Sequence, residues 1–470
     1  MRGTAPGSVE GVKQRPLAVA LVAVGVVALA VTIGLLLPRA VTPPPPIDSE
    51  GLRDAVTAEA LKGHLDALQQ AADANGGHRA AGTPGFAASA DYVAGRLEAA
   101  GYQVQRQQFS YDRPDYSQAT LQQRGPTVRA YTVLRDFQPL TFSGTGTVTA
   151  AVTAVDLNLA GDRRNTSGCE AGDFAGFPRG SIALVQRGTC AFGVKAGNAV
   201  AAGASAVIVL NQGDDPSRRG LFAGTLGRQA AVPVLATSYE RGAEWAGNPG
   251  TTLALSVAAT TTRVSTENLI ADTATGSPER TTVVGAHLDG VEAGPGINDN
   301  ASGTAAVLET AIQFAELGIQ PAARVRFAFW SGEEDGLYGS RHYVGQLGED
   351  GRRTTALYLN LDMIGSPNPV PAVYAATGRP TGSEALHAVL TEFLTAQGIT
   401  PQTVDFDASD HAPFLAAGIA AGGLFTGADD GADPCYHQAC DRVDTIDLAM
   451  LEVMADAAAH ATLSFAQAEG

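Results

Sequence analysis

The stretch Phe329-Trp-Ser-Gly-Glu-Glu-Asp-Gly336 sets three adjacent carboxylates directly behind an apolar run, Arg324 to Trp330. Like charges packed side by side repel and raise one another's pKa values, so an acidic triplet at the end of a buried-type strand calls for a positive partner. Other segments repeat the theme. "AHLDG" supplies His287 and Asp289, which are two apart and so share one face of a strand. "GINDNASG" supplies Asp299 just ahead of a helical pattern, and "NLDMIG" supplies Asn360 and Asp362. "SDHAPF" carries Asp410 and His411, and "CYHQAC" carries Tyr436 and His437 between two cysteines. A set of two histidines and three or four carboxylates suits zinc, which takes imidazole nitrogen and carboxylate oxygen. The set is too large for one ion with three protein ligands and a water. Two ions about 3.5–4 Å apart clamp a hydrolytic transition state from both sides, and a shared carboxylate bridges them. Adjacent strand residues point to opposite sides, so Glu333 and Glu334 can divide the work, one as base and one as ligand.

Singly, these residues have blander readings. His287 fits a solvated strand end and Glu333-Glu334-Asp335 a solvated turn. Asp289 fits a turn cap and Asp410-His411 the cap of the following helix. Their succession at strand ends favours the metal reading, and the surrounding elements must supply those ends. From 263 onward strands alternate with helices. "TTVVGAHLDG", "RVRFAFWSG", "TTALYLNLDMIG" and "AGGLFTG" read as strands. "ASGTAAVLETAIQFAELG", "SEALHAVLTEFLTAQG" and "DLAMLEVMADAAAHATLSFA" read as helices. This alternation predicts an α/β fold with a mainly parallel mixed sheet flanked by helices, with ligands beyond the carboxyl ends of the strands. Residues 50–115 read as two amphipathic helices separated by the loop "HRAAGTPG", then a strand "QVQRQQFSY". Residues 116–262 change character: Val, Thr and turn signals dominate, "SIALVQRG", "AVIVLNQ" and "AVPVLATS" read as strands, and "GVKAGNAVAAGA" is a helix between two of them. This is a β-rich insert with its own core.

The chain has 470 residues, 31 basic and 48 acidic, for a net charge of −17. That balance argues against a nucleic-acid partner, which wants a basic face. Residues 1–16 are a basic cytoplasmic N-terminus with Arg2, Lys13 and Arg15. Residues 17–37 are uncharged and apolar, long enough for a transmembrane anchor and otherwise a cleaved signal segment. Residues 38–49, with "TPPPP", read as a stiff linker. Both readings of 17–37 export the remainder, because the basic residues before it stay inside. The expected location is extracytoplasmic, anchored to the membrane or secreted. Four cysteines fit an exported protein. Sequence proximity favours the pairs Cys169–Cys190 and Cys435–Cys440 among the three arrangements. Asn165-Thr-Ser is a glycosylation sequon, and "DDGADP" (429–434) is an acidic loop without full calcium-loop spacing.

Taken together, "HLDG…GINDNASG…FWSGEEDGLYGS…LNLDMIG…SDHAPF…CYHQACD" resembles the co-catalytic di-zinc aminopeptidases, the group of bacterial leucine aminopeptidase and aminopeptidase Y. The resemblance covers residues 50–115 and 263–465. The insert resembles a protease-associated domain, notably over Gly180 to Asn211. The resemblance implies a zinc aminopeptidase/phosphorylase-like fold and two zinc ions per chain. It implies that Asp299 bridges them, that His287 and Asp362 complete one site and that Glu334 and His437 complete the other. It makes Glu333 the general base, Tyr436 a donor to the developing oxyanion, and Asp289 a group that orients His287. It also implies a cis peptide bond after Asp299, and that a Cys435–Cys440 bond fixes the loop presenting Tyr436 and His437. The implied substrates are peptides with a free N-terminus, and a monomer is expected. A metallo-carboxypeptidase or dipeptidase of the same fold shares the metal site. The last loops hold Arg442 but no basic cluster to receive a carboxylate, which favours the aminopeptidase. A receptor-like peptide-binding protein using the insert is the alternative of another class; the unsubstituted ligand set argues against it. Phe414, Leu424 and Phe425 are candidates for the side-chain pocket.

Overall fold

The computed structural model describes residues 47–468, apart from 117, 126, 215–217, 259, 406–407 and 429–430. The apolar segment 17–37 and two carboxylates of the acidic loop, Asp429 and Asp430, lie outside the described residues. Among the described residues no helix is long and apolar enough to cross a membrane.

The chain opens with helices α1 (Glu50–Arg53), α2 (Ala58–Asp73) and α3 (Pro84–Ala99). Thr57 and Thr83 begin α2 and α3, each hydroxyl accepting an amide of the first turn, from Ala60 and Phe86. Ser and Thr favour this position because they satisfy an amide the helix leaves unpaired. Leu61, Leu65, Leu68 and Ala72 recur at helical spacing and form the buried face of α2.

Strand β1 (Val104–Asp115) then leads into the insert. Its strands are β2 (Thr120–Gly125), β3 (Arg129–Tyr131), β4 (Phe137–Pro139), β5 (Gly146–Ala154), β6 (Ile182–Gln186), β7 (Ala206–Leu210), β8 (Val234–Thr237) and β9 (Thr252–Val257). Helices α4 (Phe192–Ala202) and α5 (Tyr239–Gly247) connect them. The strands form one sheet, ordered β3-β2-β9-β5-β6-β7-β8-β4. Every residue of β6 and β7 is buried, as expected of parallel strands covered on both faces. Leu184, Ile208 and Trp245 pack on one side, Val185, Val209 and Phe174 on the other. The Cys169–Cys190 disulfide lies in this region. Asn165 is not a free acceptor: its side-chain amide donates to the carbonyls of Arg163 and Arg187, and its Oδ1 accepts the Ser167 amide.

Strand β10 (Thr260–Asp272) returns antiparallel to β1 along its whole length, Val104 opposite Ala271 and Asp115 opposite Thr260. The remaining strands are β11 (Ser277–His287), β12 (Ala323–Trp330), β13 (Thr355–Leu361), β14 (Ala372–Tyr374), β15 (Gln402–Val404) and β16 (Ala420–Phe425). The helices between and after them are α6 (Gly303–Glu316), α7 (Tyr338–Gln346), α8 (Gly348–Thr354), α9 (Ser383–Ala396), α10 (His411–Ala416) and α11 (Leu448–Gln467). The sheet order is β1-β10-β12-β11-β13-β16-β14-β15, a mixed sheet whose central four strands, β12, β11, β13 and β16, are parallel. Alternation assigns its two faces. Val284, Phe327 and Leu359 pack with α2, α3, α6, α9 and α11, whereas Val283, Ala328 and Tyr358 pack with α7 and α10.

Two pocket candidates belong to this core instead. Phe414 stacks on Tyr358, with 4.1 Å between ring centroids, and sits against Trp330. Leu424 is fully buried on the opposite face. Phe425 is half-buried.

Candidate active site

The parallel strands end side by side, at Trp330, His287, Leu361 and Phe425, and the chemistry-bearing residues lie just beyond. Nδ1 of His287 hydrogen-bonds the backbone carbonyl of Asp289 at 3.0 Å. A proton held there leaves Nε2 as the coordinating nitrogen. Nε2 faces Asp299 Oδ1 and Asp362 Oδ1, both at 3.3 Å, with Glu333 Oε2 at 4.0 Å. The Asp289 carboxylate is 3.9 Å from Nδ1 and instead accepts the Glu333 amide at 3.3 Å. Asp289 therefore orients His287 through its main chain, while its side chain holds the turn that carries Glu333.

Asp299 sits in the kinked turn Ile297–Ser302 at the head of α6, and its peptide bond to Asn300 is cis. Its second oxygen, Oδ2, lies 3.0 Å from His437 Nε2, and that nitrogen is also 3.0 Å from Glu334 Oε2. One carboxylate thus offers a different oxygen to each histidine. His437 comes from a loop closed by the Cys435–Cys440 disulfide. Tyr436 stacks on it, with centroids 3.8 Å apart, and is 37% exposed, open to an incoming molecule. Asp362 is held from behind. Its Oδ2 accepts Ser409 Oγ at 2.6 Å, Ser409 accepts from Asn360 Nδ2 at 2.9 Å, and Asn360 Oδ1 accepts the Tyr358 hydroxyl at 2.7 Å. This chain leaves Oδ1 for the site. Ser409 is absent from the sequence-level candidates. Asp410 is fully buried, and burial pushes its carboxyl up to about 7. His411 packs its ring against Tyr374.

The electrostatics ask for a cation. Burial alone would discharge His287, but Glu333, Asp362 and Asp299 outweigh it and hold the imidazole well above its ordinary range. His437 behaves alike, with Glu334 and Asp299 opposing burial. Burial pushes Asp289 up to about 8 and raises both Glu333 and Glu334. Asp299 goes the other way: hydrogen bonds from the two imidazoles override burial and keep it below the usual carboxylate range. The carboxylates thus demand positive charge at the two imidazoles, a demand that divalent ions can meet. The residues fit such ions. Glu334 Oε1 and Asp289 Oδ2 are buried without a hydrogen-bond partner, and a buried oxygen of that kind needs a partner. Ligand atoms of His287, Glu333 and Asp362, and of His287, Asp299 and Glu334, lie within 4.8 Å of one another.

Beside Glu334 and Asp289 opens a cavity of about 440 Å³ walled jointly by the catalytic sheet, with Arg113, Glu292 and Asp335, and by the insert, with Val133, Leu134 and Pro139. A larger one, about 770 Å³, lies along the β1–β10 edge by Tyr102 and Phe314 and holds no comparable donor set.

Fold and site together define a metallopeptidase. The model of peptidase family M28 matches residues 268–462, and that of the PA domain matches residues 146–245. The chain is 41% identical over 442 residues to an aminopeptidase of Pseudomonas aeruginosa, covering 88% of this chain and 81% of that one. It is 38% identical over 449 residues to a Mycobacterium tuberculosis protein named as a probable lipoprotein aminopeptidase, LpqL, covering 88% and 86%. Among solved structures, the aminopeptidase of Aneurinibacillus sp. strain AM-1 superposes with a TM-score of 0.69 at 27% identity, covering 90% and 97%. A zinc aminopeptidase of Bacillus subtilis superposes at 0.64 with 26% identity, covering 88% and 96%. The chain belongs to peptidase family M28. It is an aminopeptidase.

Proposed function

We propose that this aminopeptidase works with two zinc ions sharing Asp299, one completed by His287 and Asp362 and the other by Glu334 and His437. The observation that carries this is the division of the Asp299 oxygens between the two imidazoles, at 3.3 and 3.0 Å. The Bacillus subtilis neighbour, titled a zinc aminopeptidase, supports the metal. When bound, the ions polarise the scissile carbonyl and acidify water. Glu333 accepts the proton of the attacking water and passes it to the leaving amine, for which a carboxyl raised by burial is suited. Tyr436, at the exposed edge, donates its hydroxyl to the oxyanion as it forms. The cavity beside Glu334 receives the peptide.

We also assign residues 50–115 and 263–470 to one catalytic domain and 116–262 to a protease-associated insert. The paired β1 and β10, where the chain leaves and re-enters the first sheet, support this division. Two disulfides and the lipoprotein name of the mycobacterial relative support an extracytoplasmic location. The test is hydrolysis of leucine anilide beside N-acetyl-leucine anilide, with and without chelator. Cleavage of the free-amine substrate alone, lost to chelator and restored by zinc, is expected. Equal cleavage of both substrates, or indifference to chelator, overturns the reading.

A further inference from the structure

We propose that Arg79 and Asp441 are a positioning pair for the bridging carboxylate, gripping the turn that carries Asp299, Arg79 through the carbonyls that lead into it and Asp441 through its amides, and so setting where its two oxygens lie. This rests on the metal reading of Asp299 given above.

Arg79 comes from the loop between α2 and α3 and is fully buried. No carboxylate lies within ion-pair reach of it among the described residues. Its guanidinium instead donates to three backbone carbonyls: Nε to Pro295 at 2.8 Å, Nη1 to Leu288 and Nη2 to Gly296. Leu288 follows His287, and Pro295 and Gly296 lead into the Asp299 turn. One rigid fork therefore ties the end of β11, with its histidine, to the segment carrying the shared carboxylate. The approach is close. Gly296 has φ 67°, and a Cβ there would meet the Asp299 carbonyl at 2.5 Å. Burying a guanidinium without a direct counter-charge is costly; burial lowers this one to about 10 although the charges of Asp441, Asp289, Asp299 and Glu334 oppose it at longer range. Such a group persists where its donor geometry is needed.

Asp441 holds the amides of the same turn. Its Oδ1 accepts the Asn298 amide at 2.7 Å and its Oδ2 the Asp299 amide at 3.0 Å. Its own carbonyl accepts the Ile297 amide at 3.3 Å. Three successive amides thus end on one residue, and that residue directly follows Cys440. The loop presenting His437 therefore continues directly into the residue that holds the backbone of Asp299. The contacts at 3.3 and 3.0 Å from Asp299 to the two imidazoles leave little room for the turn to move, and misplacement by about 1 Å is enough to disable such a site.

The test compares Arg79→Met, Arg79→Lys and Asp441→Asn in the purified enzyme. Zinc affinity is read by competition with a chromophoric chelator, beside thermal stability of the metal-free protein and kcat and KM on leucine anilide. Arg326→Met, which removes another largely buried arginine bonded to Asp272 in the body of β12, controls for stability alone. Arg79→Met and Asp441→Asn should weaken zinc binding about 10–100-fold, as loss of a ligand's supporting contacts does, and lower kcat more than they change KM. Arg79→Lys keeps the charge but loses the fork, and should recover only part of the affinity. Arg326→Met should bind zinc as the wild type does. Wild-type zinc affinity in Asp441→Asn and in the folded Arg79 variants overturns the proposal; if Arg79→Met fails to fold, Asp441→Asn and Arg79→Lys decide it. Asp299→Asn separates the two levels. If it too keeps wild-type affinity, the metal reading itself falls; if it alone loses zinc, only the grip of Arg79 and Asp441 is refuted.

Discussion

Glu333 is the residue for which the geometry allows two different jobs, and replacing it with glutamine tells them apart. Its side chain is 10% exposed, and its Oε2 lies 4.0 Å from His287 Nε2, farther than the Asp299 and Asp362 oxygens at 3.3 Å. Its backbone is pinned by the Asp289 carboxylate. That placement suits a base beside the ions better than a ligand to them, although His287, Glu333 and Asp362 are close enough to hold a metal among themselves. Glutamine keeps the volume and one carbonyl oxygen but cannot take up a proton at this pH. Loss of a general base lowers turnover by about 10²–10⁴-fold, about 2.7–5.4 kcal/mol at about 1.36 kcal/mol per decade. The expected Glu333→Gln enzyme therefore binds zinc in wild-type amount, keeps KM within a small factor and loses kcat by that range. Zinc content by atomic absorption and steady-state kinetics on leucine anilide are the two readouts. Turnover within a factor of two of wild type refutes the base, and loss of zinc in step with activity makes Glu333 a ligand.

Three further outcomes follow from the same geometry. Replacing Cys435 and Cys440 with serine frees the loop bearing His437, so zinc affinity and kcat should fall together; the same change at Cys169 and Cys190 should lower the melting temperature while zinc affinity, measured by chelator competition, stays unchanged. Burial lowers the Lys195 amine from 10.5 to about 8. The folded state releases that proton first and the unfolded state binds more between pH 8 and 10.5, so stability rises with pH across that window; melting curves of Lys195→Met should be flatter there, and an unchanged slope would show that Lys195 is not the group titrating. Leu134, 71% exposed on the insert wall of the cavity, should tolerate Leu134→Asp without loss of stability, while kcat/KM for tripeptides falls through KM; unaltered tripeptide kinetics would remove the insert from the substrate path.

Much of the candidate site was legible because His287, Glu333, Glu334 and Asp362 stand at or just beyond the ends of strands whose apolar patterns are strong. "TTVVGAHLDG" and "RVRFAFWSGEED" announce both a buried strand and the polar residues released at its end, and the strand-helix alternation implies that these ends meet. Helices α2, α3 and α9 were legible because each buries one face at helical spacing, and α6 and α11 because their long, largely apolar runs are buried almost all round. The three-residue strands β14 and β15 were not, because so short a segment holds no period to read. Nor does residue type say which cavity or core an apolar side chain joins. Phe414 reads as a pocket residue in sequence and stacks on Tyr358 in the fold.

The linear order of residues determined the chemistry available to this protein: which side chains can bind metal, which strands end near them, and which cysteines are close enough to pair. Only the tertiary structure decided how those groups are held. It turned the Asp289 carbonyl, rather than its carboxylate, toward His287, set Ser409 behind Asp362, and brought both Arg79 and Asp441 onto the backbone around the Asp299 turn. Those partners are separated along the chain by up to hundreds of residues or act through backbone atoms common to every residue. A backbone carbonyl or amide has no residue-type signature, and its alignment with a distant side chain is fixed only when the packed core closes around it.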